Sequence, residues 1–227
     1  MSDLAATATD VPAARPDPNP SGVSGRSKIA ARFAFAAAVG FVAGAATEWS
    51  VPHLPFALEP LGNSAAPWVL VAFAVALTAR RMGESLRLAV VTLVALVLGF
   101  YAAEAYRGWP VSRHQIVVWC VASVVVGPLV GLAAGWFRHA GRTAGALGAG
   151  VLGGLLAGEA VYGLTKLTLS TPAHYWDVEF ALGVGLTIGL PLWRSRRRLL
   201  GSVPILAASL AAGAVVGLGT LAAFHVP

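Results

Sequence analysis

Charge is what this chain has least of. Charged side chains make up 11% of its 227 residues, against about a quarter in a soluble domain, so a water-facing shell around a globular core cannot be assembled from it. Cysteine is nearly absent: Cys120 stands alone in an apolar run after Trp119, which excludes a disulfide framework and a cysteine metal site and leaves packing as its role. The histidines at 53, 114, 139, 174 and 225 are scattered, with none of the paired spacing of helix-borne ligands. No metal and no cofactor is expected. Phosphate-binding glycine loops, a G-x-S-x-G elbow and a dinucleotide fingerprint in a strand context are missing too. No apolar run precedes Ile29, so the start of the chain does not read as a cleavable signal. With Pro12, Pro16, Pro18 and Pro20 among small and polar residues, positions 1–28 read as a disordered cytoplasmic tail ahead of one bundle, 29–227.

What is present is apolar. A hydrophobic fraction of 57% and a mean hydropathy of +0.73 point to an all-α, polytopic membrane helix bundle, because helices satisfy their own backbone hydrogen bonds in lipid. Long unbroken apolar runs disfavour a β-barrel. Seven spans are expected: Ile29 to Glu48, Ala65 to Arg80, Leu86 to Tyr106, Gln115 to Phe137, Thr143 to Leu164, Asp177 to Trp193 and Ser202 to Phe224. The second is short, about 24 Å at 1.5 Å per residue, and a re-entrant segment is the alternative. Asn63 or Ser64 can cap its start. Thirteen basic residues, among them Arg32, Arg80, Arg81, Arg87, Arg138, Arg142 and Arg194, fall on the side of the N-terminus, while Arg107, Arg113 and Lys166 fall opposite. The positive-inside rule then puts the N-terminus in the cytoplasm and the C-terminus outside. The net charge of +6 is explained by this topology rather than by nucleic acid, which is not expected as a partner.

Glycines repeat at four-residue intervals, at Gly40 and Gly44, at Gly127, Gly131 and Gly135, and at Gly150, Gly154 and Gly158. Such stripes let neighbouring helices approach closely. Pro128, mid-span, removes a backbone donor and is a place for a kink and a cavity.

The acids follow a register. Glu48 lies 16 residues beyond Arg32, Glu104 17 beyond Arg87 and Glu159 17 beyond Arg142, roughly 24 to 26 Å along each helix. They therefore share one depth near the outer boundary, and Asp177 and Glu179 extend the layer. Around it fall Trp49, Trp68, Tyr101, Tyr106, Arg107, Trp109, Tyr162 and Lys166. An aromatic belt with snorkelling charges accounts for many of these on its own. Glu159 stands apart because it follows the glycine stripe and costs on the order of 2.5 kcal/mol or more if central in lipid.

Leu61 to Trp68, LGNSAAPW, together with Gly99-Phe100-Tyr101, Trp119, Gly127-Pro128, the AGEAVYGL stretch and Gly183 with Pro191, resembles an uncharacterised family of small multispan bacterial integral membrane proteins. The resemblance implies the bundle architecture and a bacterial plasma membrane, and adds Asn63, Trp68 and Glu159 as positions of interest. It carries no catalytic role.

The candidate ligand-binding set is thus Glu48, Asn63, Trp68, Tyr101, Glu104, Glu159, Tyr162, Asp177 and Glu179. The leading reading is a binding or transport-related protein whose acidic, aromatic outer pocket takes a small cation or an amphiphile's headgroup. Against transport, the other halves of the spans offer only neutral groups such as Thr78, Thr92, Ser123 and Thr187. One alternative is a structural or assembly subunit, docked through its glycine stripes to a membrane partner or to another copy of itself. Another is an intramembrane enzyme with a glutamic acid as general acid, and the balance favours a non-enzyme. The lipid bilayer is the partner common to all three.

Overall fold

The computed structural model describes residues 20–62, 64–195 and 203–224. Seven α-helices and short 3-10 and π-type turns make up its regular structure, with no strand among the described residues. The helices are α1 (Pro20–Ser50), α2 (Ala65–Ala76), α3 (Met82–Tyr106), α4 (Arg113–His139), α5 (Arg142–Tyr162), α6 (Ala173–Ser195) and α7 (Val203–Phe224). Helix α1 begins ahead of Ile29. Residues 1–19 of the expected tail, Asn63 and the arginines at 196–198 lie outside the described residues.

The glycine stripes set which helices touch. Gly40 and Gly44 of α1 lie on the backbone carbonyls of Thr92 and Leu96 in α3, where a Cβ would collide with main chain. Gly127 and Gly131 of α4 meet Val90 and Leu86 of α3 in the same way, and Gly150 and Gly154 of α5 meet Ser209 and Gly213 of α7. Gly153 packs on Gly183 and Thr187 of α6, and Gly148 on Ala133 of α4. Three neighbours so close leave α5 at the centre. Its apolar window is 78% buried, against 17% for α1 at the periphery.

Small polar side chains inside the bundle are satisfied locally, as buried polar groups must be. Ser85 Oγ donates to Gly131 O at 2.8 Å and Ser209 Oγ to Thr187 O at 2.6 Å. Between α2, α3, α4 and α5 the core is Ala66, Val69, Phe73, Leu93, Leu96, Val130, Leu152 and Leu156 with their neighbours.

Helix α2 is the exceptional element. Its 12 residues extend only about 18 Å, and it is packed among α1, α3, α4 and α5. The chain reaches it through 3-10 turns at Val51–His53 and Phe56–Gly62, the second set at 56° to α2. Past its C-terminal end, Arg138 donates to Leu77 O and His139 Nε2 lies 3.0 Å from Ala79 O. Positive groups are favourable beside the exposed carbonyls of a helix end.

Among the described residues four helices are long and apolar enough to cross a membrane, within Ser27–His53, Met82–Tyr106, Arg113–His139 and Arg142–Leu167, or five if the bent segment ending in α2 counts as one. Seven were expected from the apolar runs. Helix α6 falls short because His174, Asp177 and Glu179 occupy its first turns. In α7 the residues whose side chains are described, Pro204–Gly219, form an apolar helix shorter than that length.

Candidate functional site

Four glutamates meet at the end of the bundle away from the arginine-rich turns, and each is placed by a helix terminus. Helix α3 stops in a Schellman turn: Trp109 N donates to Glu104 O at 3.1 Å and Gly108 N to Ala105 O at 3.0 Å. This turn needs a left-handed residue, which Gly108 supplies with φ 76°. The reversal brings Trp109 back over the side chain of Arg107. That guanidinium lies 5.3 Å from the Trp109 ring and 5.9 Å from the Trp49 ring, within cation–π range. From there it donates to both the carboxylate and the main-chain carbonyl of Glu48, at 3.1 Å each. Glu48, at the end of α1, is therefore held and neutralised. Glu104 feels the charge of Glu48 but has no such partner, and its Oε2 is buried without a hydrogen bond.

The second pair sits at the N-terminus of α2. Ser64 is its N-cap, and Ser64 Oγ accepts from Ala66 N at 3.2 Å. Glu159 of α5 reaches the same helix end, where Oε1 accepts from Ala65 N at 2.7 Å. Ser64 Oγ in turn donates to Glu179 Oε2 of α6 at 3.2 Å. Glu159, Glu179 and Tyr175 lie close enough to act on one another electrostatically, and Glu179 Oε1 is buried without a hydrogen-bond partner. A helix N-terminus carries about half a positive charge and four free donors, so two buried acids find there both charge compensation and hydrogen bonds.

Between the two pairs lies a cavity of about 490 Å³ lined by Glu48, Val51, Gly62, Ser64, Ala65, Trp68, Phe100, Tyr101, Glu104, Trp109, Gln115 and Trp119. Its walls are aromatic. Trp68 packs on Phe100 with ring centroids 5.6 Å apart and edge-on to Trp119 at 6.5 Å, and Phe100 meets Tyr101 at 5.4 Å. Trp68 Nε1 is buried in this wall with no acceptor. A buried donor and a buried acceptor without protein partners thus flank one cavity, and each costs roughly 1–3 kcal/mol until something pairs with it.

Of the sequence candidates, Glu48, Trp68, Tyr101 and Glu104 come together around the cavity, while Glu159 and Glu179 stand behind its Ser64–Ala65 wall. Tyr162 is half-buried on α5 and Asp177 is exposed on α6; neither lines the cavity. Asn63 falls outside the described residues. Gln115 was not singled out from sequence, although a polar residue at the start of an apolar span is the signal for it. Phe100 and Trp119 were visible only through the resemblance.

Residues 23–223 match a family of unknown function, DUF6518. The chain belongs to that family. The match takes in all four glutamates and every residue lining the cavity. No curated protein and no solved structure matches the chain.

Proposed function

We propose that the protein is an integral membrane protein that binds a small cation, or the cationic headgroup of an amphiphile, in the cavity beside Glu104. In this reading the basic end of the bundle faces the cytoplasm, as the positive-inside rule requires, and the cavity opens at the outer leaflet. Seven crossings follow if α2, α6 and α7 each traverse the bilayer.

The carrying observation is the cavity itself, with aromatic walls and one carboxylate, Glu104, that no cation among the described residues pairs with. Aromatic faces attract an ammonium by about 0.5 to 2 kcal/mol each, and Glu104 adds a charge-assisted contact. The buried Trp68 N–H favours a headgroup that also carries an acceptor oxygen. Binding is favoured over transport because the close-packed apolar cluster of α2 to α5 offers a charged solute no polar route towards the other end.

The test is titration of the purified full-length protein in lipid nanodiscs with choline and tetramethylammonium, followed by tryptophan fluorescence. Saturable quenching is expected. Glu104→Gln should weaken it about tenfold, the size of one lost charge-assisted contact, while Asp177→Asn leaves it unchanged. Equal responses from wild type and Glu104→Gln would reject the site.

A further inference from the structure

The opposite end of the bundle holds a second cavity, of about 310 Å³, and its chemistry is the reverse of the first. Helix α1 contributes Lys28 and Arg32, the turn between α2 and α3 contributes Arg80 and Arg81, and α3 contributes Arg87. Glu84 is the only acid in its lining, and both its oxygens are already used: Oε1 takes Arg32 Nη1 at 2.8 Å and Oε2 takes the backbone N–H of Arg80 at 2.8 Å. Arg87 is steadied through Nε on Gly83 O at 2.9 Å. Among the described residues no ion pair engages Lys28, Arg81 or Arg87. The pocket is therefore strongly positive, with one arginine held in place by Glu84 and the others open to an anion.

Topology alone explains why basic residues gather at this end. It does not explain what adjoins them. An apolar groove of about 300 Å³ shares Phe33 and Arg87 with the basic pocket and runs on past Leu86, Val90, Val91 and Pro128. Pro128 lies where α4 would otherwise carry an ordinary mid-span residue, and its ring forms part of this wall. A cationic pocket continuous with a furrow between α1, α3 and α4 fits one chemical class, an anionic head joined to a hydrocarbon chain.

We infer that this pocket and groove bind an anionic phospholipid, its phosphate among Lys28, Arg81 and Arg87 and one acyl chain along Phe33, Val91 and Pro128. Basic pockets between membrane helices recognise anionic headgroups by this charge complementarity. The site is separate from the cavity beside Glu104 and stands or falls without it, although both assume a chain in a bilayer.

Native mass spectrometry of the full-length protein, released from mild detergent with phosphatidylglycerol or with phosphatidylcholine of the same chains, tests the assignment. Retention of phosphatidylglycerol about tenfold above phosphatidylcholine is expected. The R81A/R87A double variant should lower it to the phosphatidylcholine level, and V91F, which narrows the groove, should reduce it with the basic residues intact. Glu104→Gln should leave it unchanged. Equal retention of the two lipids by wild type, or an undiminished preference in R81A/R87A, would overturn the proposal. Displacement of the lipid by millimolar inorganic phosphate would overturn the lipid assignment as well, because a free anion does not need the groove; this arm uses wild type and does not depend on any variant folding.

Discussion

Glu159 and Glu179 differ from Glu48 and Glu104 in what surrounds them, although all four are the same residue type at one end of the same bundle. The first two are bound to the start of α2, one through the Ala65 amide and the other through the Ser64 hydroxyl. Of the second two, only Glu48 has found a cation, in Arg107. A buried acid tied to a helix start through a backbone amide or a hydroxyl builds the fold, even where, as at Glu179 Oε1, one oxygen stays unpaired away from the cavity. A buried acid beside an aromatic cavity, with an oxygen left over, is available to a ligand. Costly residues in an apolar protein thus divide into those that hold the short helix and those that the short helix leaves room for.

This division can be broken most forcefully at Glu159. Replacing it with Leu strands the Ala65 N–H and removes a neighbour of Glu179, at a cost of about 2–3 kcal/mol; Glu159→Gln, whose amide still accepts from Ala65, should cost less than about 1 kcal/mol. Thermal unfolding of both variants in nanodiscs checks this, and the two behaving alike would place Glu159 outside the capping role.

Arg107→Ala sharpens the other half. It removes the positive charge that competes for the acids, leaving Glu48 and Glu104 both uncompensated beside the cavity. Affinity for tetramethylammonium should rise by a few fold while stability falls by about 1–2 kcal/mol. A loss of affinity together with stability would mean that the arginine shapes the cavity more than it screens it.

The smallest effect is expected at Ser64. Ser64→Ala deletes the N-cap and the contact to Glu179, and a cap is worth about 1 kcal/mol, but Glu159 still serves Ala65. The variant should melt slightly lower with unchanged ammonium binding. A large fall in binding would show the two carboxyl pairs to be one coupled network.

Much of the architecture was legible because close helix packing leaves a mark in composition. The stripes at Gly40/Gly44, Gly127/Gly131 and Gly150/Gly154 announced contacts that the structure contains, and the apolar run of α2 was visibly too short for an ordinary crossing. The common level of Glu48, Glu104 and Glu159 followed from counting along helices. Their pairing did not. Which acid faces which depends on how α5 and α6 are rotated about the N-terminus of α2, and on the 3-10 turns at Val51–His53 and Phe56–Gly62 that bring the chain back there. Arg107 follows Glu104 by three residues, close enough for a pair on one helix, whereas the structure gives it to Glu48 of α1. Sequence spacing sees contacts within a helix and is blind to those across one.

The account depends most on whether the carboxylate left over at Glu104 receives a positive charge. A structure of the full chain in a lipid nanodisc with tetramethylammonium would test this directly. Density for the cation between Trp68, Trp109 and Trp119, beside Glu104, is the predicted result. Unchanged, cation-free density there at saturating concentration, or the cation bound instead against Glu159 and Glu179, would contradict it.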